Sequence, residues 1–346
     1  MKKTVINTIF MLLFIVSFLV SISVSNVIGF SGEQSLEANE IFTKIDMPEN
    51  GKQKIKFLEE LAQKYVRFDK YDLAVIVYKK LLNLRTTKNK KIEYHIKLGD
   101  AYDLQKNYVL SVESYKNALL FDKKNVDINL KIGNIFLKNN LYDFAKTNFI
   151  AALAIDKNSN AAKRGLGDVF FCQNIYTKAV DYYSQVASET YDKQIVMRIA
   201  KCYRSLNKID NAIAILKAFM AAKDIDLEMI FLQGLLYMDK KEYVKAKNLF
   251  SYLVTNGVKN FKGCVYLALL YDLTGETLKA KKMFDKSYEI NPSCSAVDFM
   301  RAKISYKLGR VYEAKEFANS AYGKAKTVFV KQQVQKLINF LNNLNK

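Results

Sequence analysis

From residue 55 onward the chain is written in short amphipathic stretches. Each holds about a dozen residues with apolar side chains at helical spacing, and polar turns such as Lys138-Asn139-Asn140 and Thr274-Gly275-Glu276 separate them. The pattern repeats. Units start near Ile55, Ile92, Val126, Asn160, Lys193, Leu227, Phe261 and Ser295, in steps of 33 to 37 residues. Counting from each start, position eight is always Gly or Ala: Ala62, Gly99, Gly133, Gly167, Ala200, Gly234, Ala268 and Ala302. Position twenty is always small: Ala74, Ser111, Ala145, Ala179, Ala212, Ala246, Ala280 and Ala314. Position eleven holds Tyr65, Tyr102, Phe136, Phe170, Tyr203, Tyr237, Tyr271 and Ser305; position twenty-four holds Tyr78, Tyr115, Phe149, Tyr183, Leu216, Phe250, Phe284 and Ala318.

Two amphipathic stretches split by a turn predict a helix–turn–helix unit. The small columns let its two helices approach closely, and the aromatic columns fill the space around that contact. One unit cannot bury its apolar face alone, so stacked units are expected to share a continuous core. With only 2 Pro and 13 Gly in 346 residues, helix breakers are few and the fold class expected is all-α. Residues 30–54 read as a polar lead-in that ends at the breaker cluster Pro48-Glu49-Asn50-Gly51. Residues 329–346 carry Val330, Val334, Leu337, Ile338 and Leu341 at helical spacing and read as a helix capping the open end.

These columns closely resemble the tetratricopeptide repeat, over residues 55–328 in eight units. The resemblance implies a right-handed superhelical solenoid of helical hairpins that serves as an interaction scaffold. It also implies a concave groove lined by the first helix of each unit, at positions two, five, six, nine, twelve and thirteen. Three features depart from the family pattern. The aromatic expected at position four is missing, with His95 there in the second unit. The proline near position thirty-two survives only as Pro292. The eighth unit has lost both aromatics. The family's carboxylate clamp is not matched in the first units, because Glu59 and Gln63 stand where it wants Lys and Asn.

Two stretches of the groove stand out. Arg164, Arg198, Lys201 and Arg204 place three of the chain's seven Arg on two neighbouring units. Arg grips carboxylate or phosphate through two parallel bonds. The alternative is pairing with local acids such as Asp168. Further on, the groove turns apolar. Phe231, Leu232, Leu235 and Met238 are followed by Val265, Tyr266 and Leu269, then by Phe299 and Met300. We take Arg164, Arg198, Lys201 and Arg204 as the basic part of a partner site, and Phe231, Leu235, Met238, Tyr266 and Leu269 as its apolar part. Burial of these side chains by neighbouring helices is the competing reading.

Residues 1–29 change the picture of compartment. Lys2 and Lys3 precede an apolar run from Val5 to about Ile22, followed by small residues, which is the pattern of an export signal. The run is also long enough to span a bilayer, so cleavage and retention as an anchor both stand. Acidic residues on the outer flank give one orientation, with the repeats outside the cytoplasmic membrane, in the periplasm or on its outer face. The 54 basic against 34 acidic residues, a formal +20, then fit either an acidic protein partner or a Lys-rich composition scattered over solvated helix faces. Anionic lipid or a cell-wall polymer fits the same charge. Nucleic acid does not fit the compartment, and the aromatics it would stack on occupy core columns.

Catalytic chemistry finds no footing. A Gly-rich phosphate loop and the known hydrolase motifs are missing, and one His cannot build a triad or a His-rich metal site. The four Cys show no C-x-x-C, so neither a metal nor a cofactor is expected, and both buried thiols and a bridge remain open. Two functions fit: a non-enzymatic scaffold of an envelope assembly, and a periplasmic chaperone for hydrophobic or unfolded segments.

Overall fold

The computed structural model describes residues 48–344 apart from 191, 224 and 258. The export or anchor segment 1–29 lies outside the described residues. The chain divides into two compact units, Met1–Ala162 and Lys163–Lys346.

The described residues form helices only. In the first unit the hairpins are α1 (Gly51–Arg67) with α2 (Tyr71–Leu82), α3 (Lys88–Leu104) with α4 (Tyr108–Phe121), and α5 (Val126–Lys138) with α6 (Tyr142–Ile155). α7 (Asn160–Cys172) begins at the division and pairs with α8 (Tyr176–Thr190). The second unit continues with α9 (Lys193–Ser205) and α10 (Ile209–Ala222), then α11 (Leu227–Asp239) and α12 (Tyr243–Asn256). It ends with α13 (Phe261–Leu273) and α14 (Thr277–Ile290), α15 (Ser295–Lys307) and α16 (Val311–Lys324), and the single helix α17 (Val328–Asn343).

Local chemistry fixes both ends of these helices. The first helix of most hairpins starts on a polar cap. The side chains of Asn50, Thr87, Asn125, Asp192, Asp226 and Asn260 each accept from a backbone N–H of the first turn. Position fifteen ends the first helix in every hairpin. Asp69, Lys106, Asn140, Asn174, Asn207, Lys241, Gly275 and Gly309 all have positive φ, between 56° and 80°. The next residue donates its N–H back to the carbonyl of position eleven, as from Lys70 to Tyr65 and from Arg310 to Ser305, both at 2.9 Å. That is the left-handed C-terminal stop of a helix, repeated eight times.

The small columns are contacts between the two helices of one hairpin. A Cβ built on Gly99 would lie 2.6 Å from Tyr115, on Gly133 2.8 Å from Phe149, on Gly167 2.5 Å from Tyr183, and on Gly234 2.7 Å from Phe250. Position eight therefore faces position twenty-four, and the ring sits where a side chain would otherwise project. Position twenty is fully buried in all eight hairpins, from Ala74 to Ala314.

Candidate partner-binding face

Three positions knit neighbouring hairpins together along the first helices: nine and twenty-four of one hairpin, and six of the next. In the first unit Tyr115 Oη donates to Asp100 Oδ1 at 2.6 Å, and Lys131 Nζ reaches the same oxygen at 2.6 Å. In the second unit Tyr183 Oη donates to Asp168 at 2.5 Å and the Arg198 guanidinium pairs with Asp168 at 3.0 Å. The guanidinium also lies 6.0 Å from the centroids of Phe171 and Tyr183. Burial, then Asp168, pushes the Tyr183 hydroxyl well above its ordinary pKa. Burial works against the Arg198 charge, but Asp168 and Tyr183 together with Cys172 outweigh it and the net shift is upward.

Two hairpins later the same three positions are apolar. Phe250 replaces the tyrosine, Leu235 the aspartate and Tyr266 the cation. Phe250 stacks on Tyr266 with centroids 5.5 Å apart, and Phe231 meets both rings edge-on at 5.7 and 5.2 Å. Phe284, Leu269 and Met300 form the next copy in a shared apolar cluster. The change of groove chemistry thus has a packing origin. Once position twenty-four loses its hydroxyl, a carboxylate at position nine has no donor from within its own hairpin, and a partly buried unpartnered charge is costly.

The residues singled out from the sequence fall on this face as follows. Phe231, Leu235, Met238, Tyr266 and Leu269 are all half-buried. Their helix neighbours Leu232, Leu236 and Leu267 are 4%, 0% and 3% exposed. The three arginines are engaged within the chain. Arg164 donates to Gln194 at 3.1 Å and pairs with Asp192 at 3.5 Å, while Arg204 makes two bonds to Asp239 at 2.5 and 3.1 Å. Lys201 is exposed and has no acidic partner among the described residues. Position twelve also pairs with position thirteen of the next hairpin, through Asp103–Lys138, Arg204–Asp239 and Asp272–Lys307.

Position four is polar at several hairpins. Asp298 is fully buried and is held by Lys324 at 2.5 Å, Ser320 at 2.7 Å and Arg301 at 3.1 Å. Lys163 pairs with Glu189 at 3.5 Å in the same geometry with the charges reversed. His95 stacks on Phe121 with centroids 6.0 Å apart, and its Nδ1 is buried without a partner. Burial, then Lys91, lowers its pKa. All four cysteines are free thiols; Cys202 and Cys264 are buried. Among the described residues no three His, Cys, Asp or Glu side chains converge to hold a metal ion. None of the described helices is long and apolar enough to cross a membrane.

Tetratricopeptide-repeat family models match residues 130–194, 196–222 and 262–294. The hairpins at these residues are tetratricopeptide repeats. The solved structure of a tetratricopeptide repeat protein from Parabacteroides merdae is 15% identical with a TM-score of 0.55, over 72% of this chain and 99% of its own. The C-terminal part of a tetratricopeptide protein from Cytophaga hutchinsonii is 14% identical with a TM-score of 0.58, over 69% and 97%. Yeast Tom70 is 15% identical with a TM-score of 0.50, over 87% of this chain and 66% of its own. At these identities the likeness shows the fold, which is the tetratricopeptide class expected from the sequence. No curated protein sequence matches the chain. Tetratricopeptide arrays are typically non-enzymatic scaffolds for protein–protein contacts. The columns of small and aromatic residues do not by themselves show that the tyrosines at position twenty-four bind the acids at position nine. The signal was present in the sequence: Asp100 and Asp168 occur where the aromatic carries a hydroxyl, and Leu235 and Leu269 occur where it does not.

Proposed function

We propose that this protein is an interaction scaffold of the cell envelope that binds a segment of a partner protein along the first helices α9, α11, α13 and α15. One observation carries the reading. Phe231, Leu235, Met238, Tyr266 and Leu269 stay half open at successive groove positions, although their neighbours on the same helices are fully covered. Side chains needed only for packing would be covered like Leu236. Anchors of this kind supply most of the energy of an interface. At one end of the site Arg164, Arg198 and Arg204 are neutralised by Asp192, Asp168 and Asp239, and Lys201, exposed and without an acidic partner among the described residues, supplies the positive character. The export pattern of residues 1–29 places the repeats outside the cytoplasmic membrane in this reading.

Crosslinking in intact cells followed by pull-down tests it. A scaffold yields one or two fixed partners at near-equal amounts, and Leu235→Asp abolishes their capture while the array stays folded. Capture of many unrelated clients favours the chaperone reading instead. An alkaline phosphatase fused after residue 60 is active only if that junction is exported, so an inactive fusion sinks the localisation.

A further inference from the structure

The charges along this face are not balanced: its acids are all paired, and three of its cations are not. The acids on α9, α11, α13 and α15 and at their described N-caps are Asp192, Asp226, Glu228, Asp239, Asp272 and Asp298. Each is already in an ion pair: with Arg164, with Lys193 for Asp226 and Glu228, with Arg204, with Lys307, and with Arg301 and Lys324. The basic residues of the same helices are taken up in those pairs or, for Arg198, by Asp168. Three remain: Lys201, Lys262 and Lys303. All three are exposed and have no acidic partner among the described residues. Lys262 lies 5.9 Å from the Phe231 ring and Lys303 4.8 Å from the Phe299 ring, so two of the three ammonium groups rest on aromatics of the groove itself.

Their register places them around the apolar floor. Lys201 is the position-nine neighbour of Leu235, and Lys303 is the position-nine neighbour of Leu269. Lys262 stands at position two beside Phe231. Leu235 and Leu269 thus continue a row that begins and ends on an unpaired ammonium group. We infer that the partner segment is an acidic amphipathic one, with apolar side chains on Leu235 and Leu269 and carboxylates on Lys201, Lys262 and Lys303. The arginines named from the sequence do not make this contact, because their charge is already spent on Asp192, Asp168 and Asp239. The inference rests on the groove reading above and adds the partner's chemistry. A second copy of this face is a poor occupant, since its unpaired charges are also all positive and like charges would meet.

The test uses three labelled synthetic helices of identical Leu pattern, with flanks of Glu, Gln or Lys, titrated into the repeat array by fluorescence anisotropy. The Glu helix is expected to bind most tightly and to weaken as salt rises, and the Lys helix not to bind. In Lys201→Gln/Lys262→Gln/Lys303→Gln the Glu helix loses about tenfold in affinity, the scale of three exposed ion pairs, and falls to the level of the Gln helix. These substitutions are on exposed side chains, so misfolding does not account for a loss; circular dichroism checks it. If the Glu and Gln helices bind the unaltered protein equally, or the triple variant still discriminates, the charge assignment is overturned while the groove reading stands. If Leu269→Ser leaves binding of the Gln helix unchanged, the groove reading falls as well. Anionic vesicles form the last arm: lysine-dependent vesicle binding without helix binding up to about 1 mM assigns the surface to lipid and overturns the inference.

Discussion

Gly167→Ala offers a demanding check of the packing argument. The added Cβ would lie 2.5 Å from Tyr183 Cε1 and 2.6 Å from Cδ1. To reach ordinary contact at 3.4 Å the ring must retreat by about 0.9 Å. Tyr183 is 0% exposed, and its hydroxyl is tethered to Asp168, which also holds Arg198. Retreat therefore strains a charged hydrogen bond as well as the core. Overpacking costs about 1–3 kcal/mol. The helix propensity gained on replacing Gly by Ala offsets about 1 kcal/mol. Adding part of the hydrogen-bond loss, about 1 kcal/mol, gives a net destabilisation of about 1–3 kcal/mol. The chain itself supplies the rescue, because Ala200 faces Leu216 at the same two positions. In Gly167→Ala/Tyr183→Leu the alanine should cost little, giving a favourable coupling of about 1 kcal/mol or more. Urea unfolding followed by circular dichroism measures the cycle. Gly133→Ala, opposite the untethered Phe149, should cost less than Gly167→Ala. The same chain tolerates Ala268 opposite Phe284 and Ala62 opposite Tyr78, and neither ring has a hydroxyl bond among the described residues. Additive effects in the cycle, or equal costs at Gly133 and Gly167, would refute the tether.

Other consequences can be measured in the same way. Lys241→Gly should stabilise by about 0.5–1 kcal/mol, since Lys241 holds φ 60° and a left-handed residue with a Cβ costs about 1–2 kcal/mol before the entropy of the new Gly is subtracted; an unchanged urea midpoint counts against it. Asp298→Ala should destabilise by about 3 kcal/mol or more, because it strands Lys324 beside a buried gap and leaves Arg301 with Asp285 alone. Glu276 is held by Lys247 and Lys279 at a pKa of about 2, below its ordinary 4.5, so its stabilising effect is present above pH 4.5 and is lost as pH falls towards 2. Glu276→Gln should flatten the stability curve in that window, and an unaltered curve rejects the assignment. His95 has a lowered pKa, so an NMR titration of this single histidine should give a midpoint below 6.5, and the stability it contributes should fall as pH drops through that midpoint.

The helices were legible because their cause is local. An apolar stripe at helical spacing and a small residue facing an aromatic sixteen positions later leave their mark in a single stretch of chain. Other features were written less plainly. Position fifteen holds Asp, Lys, Asn, Asn, Asn, Lys, Gly and Gly, which looks like any polar turn, yet all eight share one backbone conformation. α1 and α3 begin at Gly51 and Lys88, a turn ahead of the first apolar column, because the caps Asn50 and Thr87 lie there. The groove charges were hardest to read. Arg204 meets an acid 35 residues away, and Arg198 one 30 residues away, so a window of one helix shows cations where the folded chain holds neutral pairs. What separates the unpaired lysines from the paired arginines is the position of each acid in the folded chain, which no single helix contains.

The ion pairs between hairpins also give the repeats an order. Asp103 faces Lys138 and Asp272 faces Lys307, but in between Arg204 faces Asp239 with the signs exchanged. Within hairpins, Lys163–Glu189 and Asp298–Lys324 are likewise mirror images. A hairpin cut out or moved would carry its charges to the wrong address. Excision of residues 227–294 would set Arg204 opposite Lys307, two cations where a salt bridge had been. Joining an α7-type first helix to an α16-type second helix would set Lys163 against Lys324. The array looks modular in its columns of alanine and aromatic, yet its polar seams make it resist shuffling. Recombination among its own repeats, a frequent accident of repetitive genes, would be penalised at the level of the protein.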